Sequence, residues 1–426
     1  MRFKNTKILI ISHNSFSKLF NNGKTLESIF GEFHKENLAQ IFFSENEIPD
    51  LEYCNNYFKI TDTNVLKSFF LGYSDCGSVV KSGESKNNGK VLIKRQSTLF
   101  DFFKSRVDYL TIFRDILWSF NSWKSKSLLN WVCNYNPDIV FYVGGNYGFS
   151  HKIARYVSKK FNLPLVTYFT DDYLIYPIDK NIFEYLQHQR IKLFYPKTIQ
   201  QSSLCYAIGD LMANEYSNYF KKGFISIMNS VEKQDYVRYK PNVKIEMSYF
   251  GGLHLNRWQM LIKLANLVTD IKINVYCVEK PNEEILKLFL KSNINFRGAV
   301  EGENLKKAIL SSDILLHVES NDLYYKSLTK LSISTKIPEY LMSGRFILGF
   351  GPPDVASMRI LSDNHIGKVI SSELTDGEIK TELDSIISNS DLRETIGKKG
   401  YNYAIEHYDK EKIAKDFKTQ LEKIKT

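Results

Sequence analysis

The sequence predicts an α/β protein made of two Rossmann-like domains facing a cleft, and three observations carry that reading. Short apolar runs alternate with helical patterns along the 426 residues, the signature of parallel sheets covered on both faces. The alternation occurs twice, on either side of a polar break at 232–243 that contains Pro241. Three turns rich in small residues stand at the carboxyl ends of predicted strands, where open α/β sheets bind their ligands.

The elements follow in order. Residues 7–12 (KILIIS) form a buried strand, 24–34 a helix and 39–44 a second strand. Residues 76–94 are polar and rich in Gly, Ser, Asn and Lys, which predicts a long loop. Residues 106–131 form one long helical region. A strand at 138–144 is entered through Pro137 and left through Gly144-Gly145, and a helix covers 151–161. Strands at 165–170, 204–208 and 224–228 complete the first half. In the second half, strands fall at 244–250, 273–278, 294–296, 314–318, 346–350 and 367–370, with helices at 256–268 and 335–342. Three helices, at 376–388, 392–407 and 410–424, close the chain. No short repeat of fixed period is visible.

Composition narrows the function classes. A net charge of +10 suits an anionic partner, whether nucleotide, nucleic acid or membrane face; a lysine-rich composition accounts for it equally well. No RNA-binding motif appears, so nucleic acid is not expected. The five cysteines are scattered without a CxxC pair, which points to neither zinc nor disulfides and fits a reducing cytoplasm. The amino-terminal apolar run is too short for a signal peptide, and no stretch reaches the ~18 residues of a spanning helix.

Three turns carry the chemistry. Gly23, in Asn-Asn-Gly-Lys-Thr after the first strand, suits a tight turn whose amides attract an anion. Gly251 and Gly252 leave room for a diphosphate, and Arg257, at the start of the following helix, can pair with phosphate in bidentate fashion. The third turn is Ser334-Thr335-Lys336-Ile337-Pro338-Glu339. Ser334 and Thr335 are good N-caps, Pro338 fits a first helical turn, and the amides of residues 334–336 offer an anion site. Glu339, one turn on, is placed to accept two ribose hydroxyls, and Gly344 ends the helix. Among acidic residues, Asp171 and Asp172 follow the strand at 165–170, and Glu319 follows the strand at 314–318. His151, at a helix start, is a further candidate for acceptor contact.

These motifs resemble those of GT-B-fold glycosyltransferases, in particular the large retaining family with an E-x7-E motif that builds bacterial surface polysaccharides. The segment from Lys336 to Arg345 looks like the second half of that motif. Two positions depart from the pattern. The first Glu position is Leu331, and the Arg of the R-x4-K phosphate pair falls on Gly252 while Arg257 fills the Lys position.

The resemblance implies an acceptor-binding domain at 1–235, a donor-binding domain at 243–409, and a helix at 410–426 packing back on the first domain. It implies a sugar nucleotide, by default UDP-linked, as co-substrate rather than a cofactor, and a glycan or lipid-linked glycan as acceptor. Donor contacts fall to Gly23, Gly251, Gly252, Arg257, Ser334, Thr335, Lys336 and Glu339. Asp171 and Glu319 are the catalytic candidates, with Glu319 standing in for the carboxylate missing at Leu331, and Asp172 and His151 face the acceptor. No DxD motif is present, so retaining transfer without a metal is expected, with leaving-group charge met by fixed cations. Work on lipid-linked acceptors places the protein in the cytoplasm, at the inner face of an anionic membrane, with the aromatic and basic region 106–131 as its contact or as an ordinary core helix. A GT-B-shaped UDP-sugar epimerase and a non-catalytic GT-B partner subunit are the alternatives.

Overall fold

The computed structural model describes residues 6–17, 21–72, 75–80 and 107–424. The chain divides into two compact units, Met1–Ile227 with Ala414–Thr426, and Met228–Ile413.

Among the described residues the first unit is built on an eight-stranded sheet: β1 Ile8–Ser12, β2 Leu38–Phe42, β3 Asn56–Lys59, β4 Ser78–Val79, β5 Ile139–Gly144, β6 Leu165–Phe169, β7 Leu204–Ala207 and β8 Ile225–Ser226. Their order is β4-β3-β2-β1-β5-β6-β7-β8, parallel except for β4. β1 is central, with Ile8 in register with Leu38 on one side and Ile139 on the other. Helices cover both faces, so β1, β2, β5 and β6 are buried along their length and are mostly apolar, with Ser12, Gln40 and Thr167 as buried polar members.

The final helix, Lys410–Ile424, belongs to this unit from Ala414 onward. Its Phe417 ring packs edge-on against Phe30 at 5.3 Å and Phe141 at 5.7 Å, and Gln420 accepts a hydrogen bond from the Tyr206 hydroxyl.

Local chemistry moves several expected boundaries. The region expected as one helix is two, Val107–Ser119 and Lys126–Tyr135; Arg106 lies outside the described residues. The break is encoded by Asn121, in the left-handed region at φ 63°, and by Ser125, whose hydroxyl caps the second helix at the Leu128 amide. Within the stretch expected as a loop, Ser78–Val79 pairs with β3, while 81–94 lie outside the described residues. The first helix spans Asn21–Phe30, so Gly23 lies inside its first turn rather than ahead of it. No helix among the described residues is long and apolar enough to cross a membrane.

The second unit holds six parallel strands: β9 Met247–Phe250, β10 Ile273–Tyr276, β11 Ile294–Gly298, β12 Ile314–Val318, β13 Phe346–Gly351 and β14 Lys368–Ser371. Their order, β11-β10-β9-β12-β13-β14, is the doubly wound 3-2-1-4-5-6 arrangement, so the chain changes direction across the sheet between β9 and β12. The two strands pair only as far as Tyr249 and Leu316. Beyond that point the Phe250 backbone has lost its β12 partner. The hydroxyl of Tyr340, on the short helix Ile337–Met342, takes the vacant place. It accepts from the Phe250 amide at 3.0 Å and donates to the Phe250 carbonyl at 3.2 Å. One side chain thereby satisfies both backbone groups where the sheet splits, and it ties the 334–341 motif to the end of β9.

Tyr340→Phe keeps the ring but strands the Phe250 amide and carbonyl in the interior. It is expected to cost about 2 kcal/mol and to lower the melting temperature of the second unit's transition in differential scanning calorimetry. An unchanged melting profile would show that the hydroxyl is not what closes the sheet.

Candidate functional site

The split between β9 and β12 positions the functional side chains of the second unit. After β9 the chain passes through Gly251 and Gly252 and turns into the helix Arg257–Leu267. The turn uses two successive non-glycine residues in the left-handed region, Leu255 at φ 59° and Asn256 at φ 57°. Such conformations are costly and persist where the surroundings impose them; here they set Arg257 at the first position of the helix.

The Arg257 guanidinium meets Glu319, the residue immediately after β12. Its Nη2 donates to Oε1 at 2.9 Å and to Oε2 at 3.1 Å, with side-chain exposures of 17% and 3%. The Glu319 amide is in turn anchored by the Phe350 carbonyl at 3.1 Å. The pair bridges the loops that leave β9 and β12. Burial works against the Arg257 charge, but the Glu319 carboxylate and the Tyr249 hydroxyl outweigh it and hold the guanidinium's pKa above its ordinary value.

Lys336 supplies a second cation. A Cβ on Gly251 would lie 2.7 Å from Lys336 Nζ and 2.7 Å from the Tyr249 hydroxyl, so a side chain there would collide with both. The Tyr249 hydroxyl donates to the Gly252 carbonyl at 2.7 Å and fixes the loop beneath the ammonium. Two histidines stand nearby. His254 has a lowered pKa, from burial and then from Arg257. His317, on β12, is pushed down to about 4 by burial, an effect Arg257 and Lys336 reinforce against Glu319. Its Nε2 lies 3.5 Å from Glu319 Oε1 without making a hydrogen bond. At neutral pH both rings are uncharged, and the charges at this turn include the Arg257 guanidinium fixed by Glu319, the Lys336 ammonium and the Glu279 carboxylate, which acts on His254.

The expected roles change in detail. Arg257 and Glu319, which the sequence suggests for separate tasks, form one ion pair, so Glu319 is engaged by Arg257 rather than presented alone. The two are far apart in sequence, and only their shared position at strand ends adjoining a direction change signals the contact. Ser334 and Thr335 are not N-caps. The helix begins at Ile337 with Lys336 as its cap, because the Ser334 carbonyl accepts from the Ile337 amide at 3.1 Å and closes a preceding turn. Glu339 is half-buried on that helix. Leu331 is a buried core side chain, so the position of the missing carboxylate is apolar in fact as well as in name.

In the first unit, Gly23 packs so tightly that a Cβ would fall 2.3 Å from the Ser15 carbonyl oxygen, so the chain's own packing calls for glycine there. His151 is fully buried, its Nδ1 beside the Thr198 hydroxyl at 3.0 Å and its Nε2 3.3 Å from the Gly145 carbonyl. Burial lowers its pKa to about 3. It is a neutral core histidine with no surface to offer an acceptor. Asp172 is also buried, and its carboxylate accepts from the amides of Leu174, Ile175 and Tyr176 and from the Tyr216 hydroxyl. It organises its own loop. Asp171 is half-buried and accepts from the Thr170 hydroxyl at 3.1 Å.

One residue absent from the sequence reading stands at the matching direction change of this sheet, between β1 and β5. His13, just past β1, lies against Tyr147 with ring centroids 5.5 Å apart. Its buried Nδ1 has no hydrogen-bond partner among the described residues, and burial followed by the charge of Arg114 lowers its pKa to about 4. The signal was its place directly after the first strand.

No protein-family model matches the chain. An uncharacterised glycosyltransferase of Methanocaldococcus jannaschii, MJ1069, is 22% identical over 263 residues, 58% of this chain. The chain spans 64% of the length of that curated relative. Among solved structures, Anabaena HepE in complex with UDP superposes with a TM-score of 0.63 at 11% identity, covering 98% of this chain and 100% of its own. TarM gives 0.61 at 12% identity, with 97% and 98% covered. WaaG, a glycosyltransferase involved in lipopolysaccharide biosynthesis, gives 0.54 at 13%, with 96% and 99% covered. The chain has the GT-B glycosyltransferase fold.

The buried His317 makes the site acid-sensitive. Its folded pKa of about 4 lies below the unfolded 6.5, so below pH 6.5 the unfolded chain binds a proton that the folded one refuses. Stability is full above that value and falls as the pH drops toward 4, by about 3 kcal/mol from this group. His317→Gln is expected to flatten that part of the acid slope in urea titrations. An identical slope in the variant would mean that His317 is not the group concerned.

Proposed function

We propose that this chain is a glycosyltransferase that takes a sugar from a nucleoside-diphosphate donor, UDP-linked, held by the second unit. The observation that carries the reading is the placing of Lys336 and Arg257 beyond the carboxyl end of β9, at a Gly251-Gly252 loop where the Lys336 ammonium lies within 2.7 Å of the Cβ position of Gly251. A sugar leaving a nucleoside diphosphate leaves negative charge on the β-phosphate. Two fixed cations meet that charge without reorganising, and Glu319 holds the Arg257 fork in one orientation. The role proposed for Glu319 is thus positioning rather than contact with the sugar. Glu339 takes the ribose hydroxyls, and the loop amides at Gly251 and Gly252, with Ser334 and Thr335, complete the donor site. The choice of UDP draws on HepE, which has been crystallised with UDP and with UDP-glucose.

Transfer is proposed to be retaining and independent of a metal, the donor phosphate taking the acceptor proton. The first unit takes the acceptor, a glycan or lipid-linked glycan, with Asp171 and His13 the side chains proposed to meet it. A lipid-linked acceptor would put the work at the cytoplasmic face of an anionic membrane, in surface-polysaccharide synthesis.

In a thermal-shift panel of UDP, GDP and CMP, UDP is expected to raise the melting temperature, since a ligand that binds only the folded state stabilises it. Glu339→Ala should abolish the shift; a full shift in that variant would remove the ribose assignment. With UDP-sugar and acceptor, Lys336→Ala should lower kcat about a hundredfold, and Glu319→Ala should lower transfer as well. Unchanged rates in both variants would rule out the charge-stabilising role. Turnover of UDP-sugar without any acceptor would favour an epimerase instead.

A further inference from the structure

A second basic site lies in the first unit, and neither the fold nor the proposed transfer accounts for it. The helix Gly148–Lys160 carries Lys152, Arg155, Tyr156 and Lys159 at positions i, i+3, i+4 and i+7, which places them on one face. Lys160 adds a fifth side chain at the end of the helix. Facing them is the turn that follows the helix Val107–Ser119, where Asn121 adopts φ 63° and Lys124 projects. Together they line a groove of about 530 Å³ with no carboxylate among the described residues that line it.

Five cations in one groove repel one another, and among the described residues none of the five has an ion-pair partner. Lys124 Nζ instead lies 4.6 Å from the Tyr156 ring centroid and 5.4 Å from that of Trp123. Lys152 Nζ rests over the Phe194 ring at 5.5 Å. The Arg155 Nε donates to the His151 carbonyl of its own helix, at 3.4 Å. Burial lowers the Lys152 pKa, and Arg190, Arg155 and Lys124 lower it further against the pull of Asp115. Favourable interaction with the helix dipole accounts for Lys159 and Lys160 in the last turn. It does not account for Lys152 and Arg155, which are half-buried further back along the helix.

We propose that this groove is a binding site for a phosphate-bearing anion, recognised by Arg155 and Lys152 at its floor and by Lys124, Lys159 and Lys160 at its rim. A multiply charged phosphate removes the mutual repulsion, and the Arg155 guanidinium supplies planar donors suited to phosphate oxygens. The chemistry is shared by an anionic phospholipid headgroup and by free polyphosphate. The site stands whether or not the chain transfers sugar.

The test uses the full chain at low salt, with inorganic tripolyphosphate in calorimetric titration and, separately, sedimentation with vesicles of phosphatidylglycerol and phosphatidylcholine in equal parts. Lys124→Glu with Lys159→Glu changes only exposed side chains and leaves the floor intact. Lys287→Glu with Lys291→Glu, exposed on the helix Glu283–Lys291 of the other unit, makes the same change in net charge. The proposal expects wild type and the second variant to bind at least one probe and the first variant to lose about tenfold or more in affinity. Binding to tripolyphosphate alone identifies a free anion as the ligand, and binding to vesicles alone identifies a headgroup. No binding to either probe, or equal losses in the two variants, would overturn it.

Discussion

Everything proposed for the second unit depends on β9 and β12 parting after Tyr249. In a doubly wound sheet the loops leaving the two central strands run in opposite directions, and the gap between them is where a ligand can approach backbone. Such a gap exposes backbone groups that the sheet no longer pairs. Here the Tyr340 hydroxyl satisfies both groups of Phe250, and the Arg257–Glu319 pair joins the two diverging loops. The nucleotide motif and the structural seal are therefore the same segment: Lys336, Glu339 and Tyr340 are held by one short helix whose position is fixed by a bond to the strand beneath it.

The ion pair has two faces. Buried pairs contribute little net stability, because desolvation offsets attraction, yet losing one partner costs about 3–5 kcal/mol. That asymmetry suits a positioning role. Glu319 leaves Arg257 charged and immobile beside Lys336 instead of folded onto solvent. The cost of two successive left-handed residues at Leu255 and Asn256 is consistent with the same demand, since it places the guanidinium at the helix start.

Much of the fold was legible because buried parallel strands announce themselves as mostly apolar runs, and β1, β5, β6 and β12 do so, with Ser12, Thr167 and His317 as polar members. The loops after β9 and β12 were legible too, through Gly251-Gly252 and Glu319. What the sequence hid was pairing. Arg257 and Glu319 each looked like a free functional group, because the contact between them is made by the strand order and not by spacing. His151 and Asp172 misled for a related reason: polar residues near strand ends suggest a site, but both are consumed internally, by Thr198 and Gly145 in one case and by three loop amides in the other. The helix break at Asn121 was missed because a single left-handed asparagine inside an aromatic stretch carries little pattern, and that break is what shapes the basic groove.

The most direct measurement is a crystal structure of the protein with UDP bound. The account predicts the diphosphate over the Gly251 loop, within hydrogen-bonding distance of both Lys336 Nζ and the Arg257 guanidinium, with Glu319 still holding Arg257 and Glu339 on the ribose. A diphosphate bound elsewhere, or one reached only after Glu319 has released Arg257 and turned to the sugar, would contradict it.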